Sequence, residues 1–193
     1  MPIEDHCIET IIAFAEAIMF LRDPYEDGHE KRVSQLSKEL AIELHLPAVE
    51  IEFLQYAARL HDVGKIMIAE SVLNKPKLTA SERKMVHSHA ALGAESVSGL
   101  QIDDIHLIIR HHHENWDGSG YPDGLLGDDI PQSARILRIV DSFDAMTNTR
   151  PYRAIVYSEA DALVEMEKER GTCFDPVIFD VFKNMVKVGH DNS

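Results

Sequence analysis

The sequence predicts an all-α protein, a compact bundle of about seven or eight helices with one long loop. Three observations predict it. Apolar residues recur three and four apart through most of the 193 residues, the period of one helical face. Alternation with a period of two, the mark of a half-buried strand, is scarce. The stretch from Trp116 to Pro131 lacks helical phase and is rich in turn residues: Asp117-Gly118, Gly120, Gly124 and Gly127. A structureless loop of that length inside a compact domain is usually functional.

The elements follow in order. Residues 3–22 form a first helix with Ile8, Ile11, Ile12, Ala15, Ile18 and Met19 on a wide apolar face. That face suits the core, a second copy of the chain in a homodimer, or a neighbouring domain. Asp23-Pro24-Tyr25 breaks the helix, since Pro24 steers the residue before it out of helical backbone. A second helix runs from about Asp27 to Leu44, with Val33, Leu36, Leu40 and Leu44 in phase. Pro47 opens a third, which ends near His61 and Asp62 as Gly64 approaches. Ile66 to Leu78 reads as loop with one turn of helix. Thr79-Ala80-Ser81-Glu82 is a capping box, and it starts a fourth helix over 80–97. Ile102 to Glu114 makes a fifth. The sixth starts near Ser133 and carries Ile136, Ile139, Val140 and Phe143. Ser158 caps a seventh, which Gly171 ends. Asp175-Pro176 starts the last, with Pro176 at the first helical position. No repeat, low-complexity tract or linker interrupts 23–185, so the chain reads as an N-terminal helix, 1–22, and one domain, 23–193.

Bulk properties narrow the function. A chain with 45% hydrophobic and 27% charged residues is ordinary for a globular domain and long enough to bury a core without staples. The apolar run Ile11 to Ala15 is broken by Glu16 and ends at Arg22-Asp23, too short to cross a membrane. Cys7 and Cys173 lie far apart without CxxC spacing, which reads as two reduced thiols in a cytoplasmic protein. The net charge of -14 excludes broad nucleic-acid binding, which needs a positive field. An anionic ligand would need a local cluster of cations against that global field. Metal ions would supply one.

The chemistry centres on His61-Asp62, where an apolar helix ends and Gly64 and Lys65 follow. A single histidine on a helix is ordinarily a half-buried polar residue with one hydrogen bond, and His6, His45, His106 and His190 read that way. His87 and His89 stand two apart and point to different faces of a helix. His89 is in phase with Leu92 and Gly93, and Gly93 allows close approach. His112 and His113 can flank one site if their helix is ending, and Asn115-Trp116-Asp117-Gly118 ends it. As a set, His29, His61, His89, His112 and His113 offer imidazoles, and Asp62 and Asp141 offer carboxylates. Seven N/O donors without a thiolate are too many for one tetrahedral zinc. They suit two octahedral first-row ions sharing a carboxylate, with Fe, Mn, Ni, Co and Zn all admitted. Two ions held about 3.5–4 Å apart clamp the entering and leaving oxygens of a phosphoryl displacement, and they make hydroxide available near neutral pH.

A longer string of motifs carries a family resemblance. It begins at Arg22-Asp23-Pro24-Tyr25 with Gly28-His29, continues through His61-Asp62-Val63-Gly64-Lys65 and His89-Ala90-Ala91-Leu92-Gly93, and reaches His112-His113-Glu114-Asn115-Trp116-Asp117-Gly118-Ser119-Gly120-Tyr121-Pro122-Asp123-Gly124-Leu125. It closes with Asp141-Ser142-Phe143-Asp144-Ala145-Met146-Thr147, Arg150-Pro151-Tyr152-Arg153 and Phe174-Asp175-Pro176. In order and spacing, over about 22–182, the chain resembles the HD-GYP family, a branch of the HD phosphohydrolase superfamily. The resemblance implies a phosphodiesterase that hydrolyses cyclic di-GMP to linear pGpG or GMP through a metal-bridging hydroxide. The centre would usually hold iron or manganese. By position, His29, His61, Asp62, His89, His112, His113 and Asp141 would be the ligands, with Asp62 bridging. Lys65 would face a substrate phosphate, and Arg150 and Arg153 the other phosphate or a guanine. Arg153 stands where relatives often have lysine, which keeps the charge and changes the geometry. Tyr25 replaces the glutamate that holds a third ion in some members, so two metals are expected. Tyr121 of the Gly120-Tyr121-Pro122 loop reads as a substrate contact or as a core lid, and the resemblance adds a diguanylate cyclase domain as a partner for that loop. Two rival functions remain: a non-catalytic adaptor that binds cyclic di-GMP or a protein, and a phosphohydrolase of another cyclic dinucleotide such as cyclic GMP-AMP.

Overall fold

Helix α3, Ala48–Leu60, and helix α8, Gln132–Thr147, lie deepest in the molecule. Leu54, Ala57 and Ala58 of α3 and Ile136, Leu137, Ile139 and Val140 of α8 are fully buried. The computed structural model describes residues 5–22, 28–100, 102–148 and 156–191, with side chains from 8 to 188 within those ranges. Around the central pair pack α1, Asp5–Arg22; α2, His29–Glu43; α6, His89–Val97; α7, Asp103–His111; α9, Glu159–Glu167; and α10, Pro176–Asp191. Two short helices, α4 (Glu70–Leu73) and α5 (Ala80–His87), bridge α3 and α6 after a 3-10 turn over Val63–Met67. Among the described residues there is no strand, only isolated bridges pairing Asp117 with Leu126 and Arg170 with Phe174. The all-α expectation is borne out.

The ends of the helices follow the sequence. Thr79 and Glu82 form the predicted capping box, with the Glu82 carboxylate 2.8 Å from the Thr79 amide. Ser158 caps α9 through the Asp161 amide at 3.1 Å. The predicted helix over 80–97 is divided at Ser88 into α5 and α6. There Ser88 Oγ donates to the Met85 carbonyl at 2.7 Å, and the His89 ring lies 2.7 Å from the Val86 carbonyl. Such side-chain bonds compete with the helical ladder. This division, with α4, yields more helical segments than periodicity predicts.

Helix α1 buries Ile8, Ile12 and Ala15 and leaves Phe14 and Leu21 exposed. Its last residue reaches the site: the Arg22 guanidinium donates to the Ile66 and Ile68 carbonyls, the second at 2.9 Å. These carbonyls lie one and three residues after Lys65, so α1 helps fix the turn that carries it. The Cys173 thiol is free; the side chain of Cys7 lies outside the described residues.

Candidate metal centre

Three of the histidines are set by one local device. His61 follows the end of α3, His112 follows the end of α7, and His89 stands two residues beyond the end of α5. The last carbonyls of a helix have no intrahelical N–H partner. Each imidazole uses Nδ1 to reach back three residues to such a carbonyl: His61 to Ala58 at 2.8 Å, His89 to Val86 at 2.7 Å and His112 to Ile109 at 2.6 Å. A carbonyl only accepts, so Nδ1 carries the proton and Nε2 presents a bare lone pair. The negative ends of the α3 and α7 dipoles lie beside the His61 and His112 rings, which favours a cation there.

His29 is aimed differently. It stands at the N-terminus of α2 after Gly28, whose φ of 77° is left-handed. Its Nδ1 donates to Asp144 Oδ2 at 2.7 Å. Asp144 is itself held by Arg32, through Nε at 2.7 Å and a terminal nitrogen at 3.0 Å, and by the Asn148 amide at 3.0 Å. A carboxylate behind an imidazole fixes its tautomer and raises its basicity, the usual support of a metal-binding histidine.

The bare nitrogens converge on two carboxylates. His29 Nε2 lies 3.5 Å and His61 Nε2 3.9 Å from Asp141 Oδ1. Asp62 lies between two groups: its Oδ2 is 3.5 Å from His61 Nε2 and its Oδ1 is 3.3 Å from His89 Nε2. Donor atoms of His29, His61 and Asp62 all fall within 4.8 Å of one another, as do those of His89, His112 and His113. His89 Nε2 faces His112 Nε2 at 3.3 Å. With both Nδ1 protons committed to carbonyls, two neutral rings meet lone pair to lone pair. The Nε2 atoms of His29 and His61 are buried with no hydrogen-bond partner. A buried unsatisfied polar atom costs about 1–3 kcal/mol. A cation in each group would relieve these costs, so the donor set fits two metal ions.

Electrostatics set matching protonation states. Burial and the neighbouring imidazoles hold His112 and His113 well below the usual histidine pKa. Burial lowers His89 against the pull of Asp62. Burial alone would raise Asp62, but Lys65, His61 and His89 outweigh it and hold it well below the carboxylate range. Burial likewise opposes, and His61 and His29 overcome, in lowering Asp141. His29 goes the other way, since its bond to Asp144 and the charges of Asp141 and Asp62 overcome burial and raise it. Neutral imidazoles and ionised carboxylates are the forms that ligate metal.

Glycines permit this convergence. A Cβ on Gly64 would stand 2.0 Å from the His89 carbonyl oxygen and 2.6 Å from the Gly93 amide. The turn carrying His61 and Asp62 can press against α6 only because that atom is missing. On the far side, a Cβ on Gly120 would meet the Asn115 amide at 2.2 Å. Glu114, 2% exposed, ties the loop down by accepting the amides of Asp123, Gly124 and Leu125 at 2.8, 3.1 and 3.2 Å. The loop thereby brings Tyr121 within 4.9 Å, ring to ring, of His113. Burial raises the Tyr121 phenol strongly, so it stays protonated. A cavity of about 850 Å³ opens over the centre, with Asp62, Lys65, His89, His113, Tyr121 and Asp141 in its wall.

The sequence pattern of the HD domain family matches residues 14–178. The chain belongs to that family. The expected HD-GYP resemblance is borne out by relatives of the HD domain. It is 41% identical over 182 residues to the cyclic di-GMP phosphodiesterase response regulator RpfG of Xanthomonas campestris, covering 92% of this chain and 48% of that protein. It is 34% identical over 190 residues to 3'3'-cGAMP-specific phosphodiesterase 3 of Vibrio cholerae, covering 97% of this chain and 41% of that one. The chain thus spans about half the length of the curated relatives it matches. Its fold superimposes on an HDG"Y"P protein of Bdellovibrio bacteriovorus, Bd1817, with a TM-score of 0.70 at 20% identity, covering 93% of this chain and 60% of that one.

All seven residues singled out as donors meet in one place in this HD domain, and Lys65 and Tyr121 line the same cavity. Arg150, Arg153 and Tyr25 lie outside the described residues. The expectation that His87 faces away from His89 does not hold. Because the helix divides at Ser88, the His87 ring stacks on Tyr121 at 4.0 Å and lines the cavity too. Sequence reasoning assigned no role to Asp144, Arg32, Arg22 or Glu114. The Asp141-x-x-Asp144 spacing, one helical turn, was the available signal for the first. A third group, His111, Glu114 and Asp123, also lies within 4.8 Å. Its carboxylates are already committed, Asp123 to Arg110 at 2.7 and 2.8 Å and Glu114 to three amides. It is a structural tie of the loop.

Proposed function

We propose that this HD domain is a metal-dependent phosphodiesterase that hydrolyses cyclic di-GMP to linear pGpG or GMP. The single observation that carries the proposal is the position of Asp62, with one carboxylate oxygen toward each histidine group. A shared carboxylate between two groups of donors is what a binuclear centre needs. His29, His61 and Asp141 would hold one ion with Asp62, and His89, His112 and His113 the other. This mixed imidazole and carboxylate set, without a thiolate, admits iron or manganese. When bound, the ions supply Lewis acidity and ionise the attacking water.

The chain's own residues do the rest. Lys65 Nζ sits 2.5 Å from Asp62 Oδ2 and keeps 26% of its side chain exposed at the cavity wall. From there it can turn to a phosphoryl oxygen and stabilise the charge that builds on it. Arg22 holds the carbonyls that follow Lys65 and so fixes its reach. Tyr121, a protonated phenol, offers the substrate a donor and an aromatic face. The outward part of the loop, with Leu126 59% exposed, is the surface a cyclase domain would meet, and the exposed face of α1 is where a second copy would dock. No described helix is long and apolar enough to cross a membrane, and we place the activity in the cytoplasm.

The test is turnover of cyclic di-GMP by anaerobically prepared protein loaded with Fe or Mn, with products resolved by chromatography. Wild type should release pGpG or GMP, and Asp62→Ala should lose at least 10³-fold of that rate by the scale of binuclear catalysis. No turnover with any of the five candidate metals would defeat the proposal. The similarity to cyclic GMP-AMP-specific relatives supports a second reading, in which 3'3'-cGAMP is turned over in preference. The same assay run on both substrates decides between them.

A further inference from the structure

The metal groups and Lys65 occupy only the floor of the cavity. A second wall comes from the segment that follows. Arg83 and His87 lie one helical turn apart on α5, on one face, and both line the cavity that holds Asp62 and Lys65. His87 stacks on Tyr121 with ring centroids 4.0 Å apart and planes within 4°. This joins α5 to the glycine-rich loop across the mouth. Arg83 is exposed and forms no ion pair among the described residues, although its neighbour Glu82 is paired with Lys75 at 2.7 Å. Lys77 lines the same wall and forms no ion pair among the described residues. On a chain of net charge -14, Arg83 and Lys77 bring two cations beside the aromatic stack, in a cavity whose carboxylates beyond Asp62 and Asp141 are Glu16, Glu30 and Glu70, from α1, α2 and α4.

We propose that Arg83 and His87 form a recognition wall for the half of the dinucleotide that is not cleaved, with Arg83 taking the second phosphate and the His87–Tyr121 stack backing a purine. This rests on the phosphodiesterase reading above. It fits the charge of the substrate: one phosphodiester meets the floor, and the wall places a guanidinium of the described residues where the other can meet it. A planar guanidinium binds phosphate in bidentate fashion, and a purine adds its face to an aromatic pair. Arg83 and His87 contact only the bound substrate, away from the reacting phosphorus. Their loss should weaken binding and spare the chemical step.

The experiment measures both affinity and turnover on full-length, metal-loaded protein. Equilibrium titration with cyclic di-GMP gives Kd, and steady-state kinetics give KM and kcat. For Arg83→Ala, Kd and KM should rise about 10-fold with kcat within 2-fold, and Arg83→Lys should recover much of the loss. His87→Ala should raise KM about 3- to 10-fold, while His87→Phe, which keeps a flat ring, should stay near wild type. Wild-type affinity should fall more steeply with ionic strength than that of Arg83→Ala. Arg83 is exposed, so its variants should keep the wild-type melting temperature. Unchanged Kd and KM in Arg83→Ala and His87→Ala, with wild type turning over normally, would overturn this inference and leave the phosphodiesterase reading intact. Binding by wild type without turnover would sink the phosphodiesterase reading, while the Kd comparison still tests the wall. A fall in kcat at constant KM would also overturn the assignment, since it would place these side chains at the chemical step.

Discussion

Asp144 is 5% exposed and touches no substrate space, yet four bonds from three partners converge on it: one from His29, two from Arg32 and one from Asn148. Its role is to choose which nitrogen of His29 carries a proton. Asp144→Asn keeps the shape and removes the charge, so the His29 ring loses its oriented, basic state. We expect affinity for the metal beside His29 to fall about 10- to 100-fold, with helicity unchanged. Competition titration against a chromophoric chelator, with circular dichroism on the same samples, checks this. Unaltered affinity would show that His29 is held without it. Among the donors, His61, Asp62, His112 and His113 were legible in the sequence as ligand types beside a helix-ending signal, His89 through its phase with Gly93, and His29 and Asp141 through the motif string that carries the family resemblance. Asp144 was not, because its function exists only through His29, 115 positions away, and depends on α2 packing against α8. Arg22 was hidden for the same reason, since its partners are backbone carbonyls more than 40 residues downstream.

The glycine-rich loop shows the same division among elements. Its length and glycine content announced a functional loop, and Asp117-Gly118 announced a turn, made here with Gly118 at a φ of 80°. What pins it was not announced. Glu114 is a charged residue inside the fold, and sequence patterns place charged residues outside. Three backbone amides compensate it. Glu114→Ala leaves those amides without an acceptor, each costing about 1–3 kcal/mol unless water replaces it. The loop should therefore loosen before the bundle does. Limited proteolysis should cut between Asp117 and Leu126 in Glu114→Ala at protease levels that spare wild type, while metal content stays near two ions. Loss of both ions would show that the loop supports the whole centre. The break between α5 and α6 was missed because the capping box and apolar phase are those of one continuous helix. The break arises where Ser88 and His89 turn their side chains back onto the carbonyls of Met85 and Val86. That small defect lets both His87 and His89 face the cavity.

At the scale of the whole molecule, the centre sets how stability responds to acid and to metal. His89, His112 and His113 are held below their ordinary pKa in the fold, so below about pH 6.5, the unperturbed histidine value, the unfolded chain binds protons that the folded one refuses. Stability of the metal-free protein is therefore lost as pH falls through that range. His29 has the opposite sign, because its raised pKa favours the fold below about 6.5 and that favour disappears as pH rises past its folded value. Three groups outweigh one. Asp62, Asp141 and Asp144 are held below the carboxylate range and add a second loss below about pH 4. Metal adds to this balance with the same sign, since it binds only the deprotonated donors of the folded state. At a free metal concentration of about 100 Kd, binding stabilises by about 2.7 kcal/mol. For a chain of this size that raises the melting temperature by about 5–10 °C. The gap between metal-loaded and chelated protein should therefore be larger near pH 7.5 than near about pH 5, because His29, with its raised pKa, is the donor that takes up a proton first, while the other histidines stay neutral and keep part of the gap. Thermal melts at both pH values, with and without chelator, measure it. A gap of equal size at the two pH values would mean that the stabilising ions sit on groups other than these histidines.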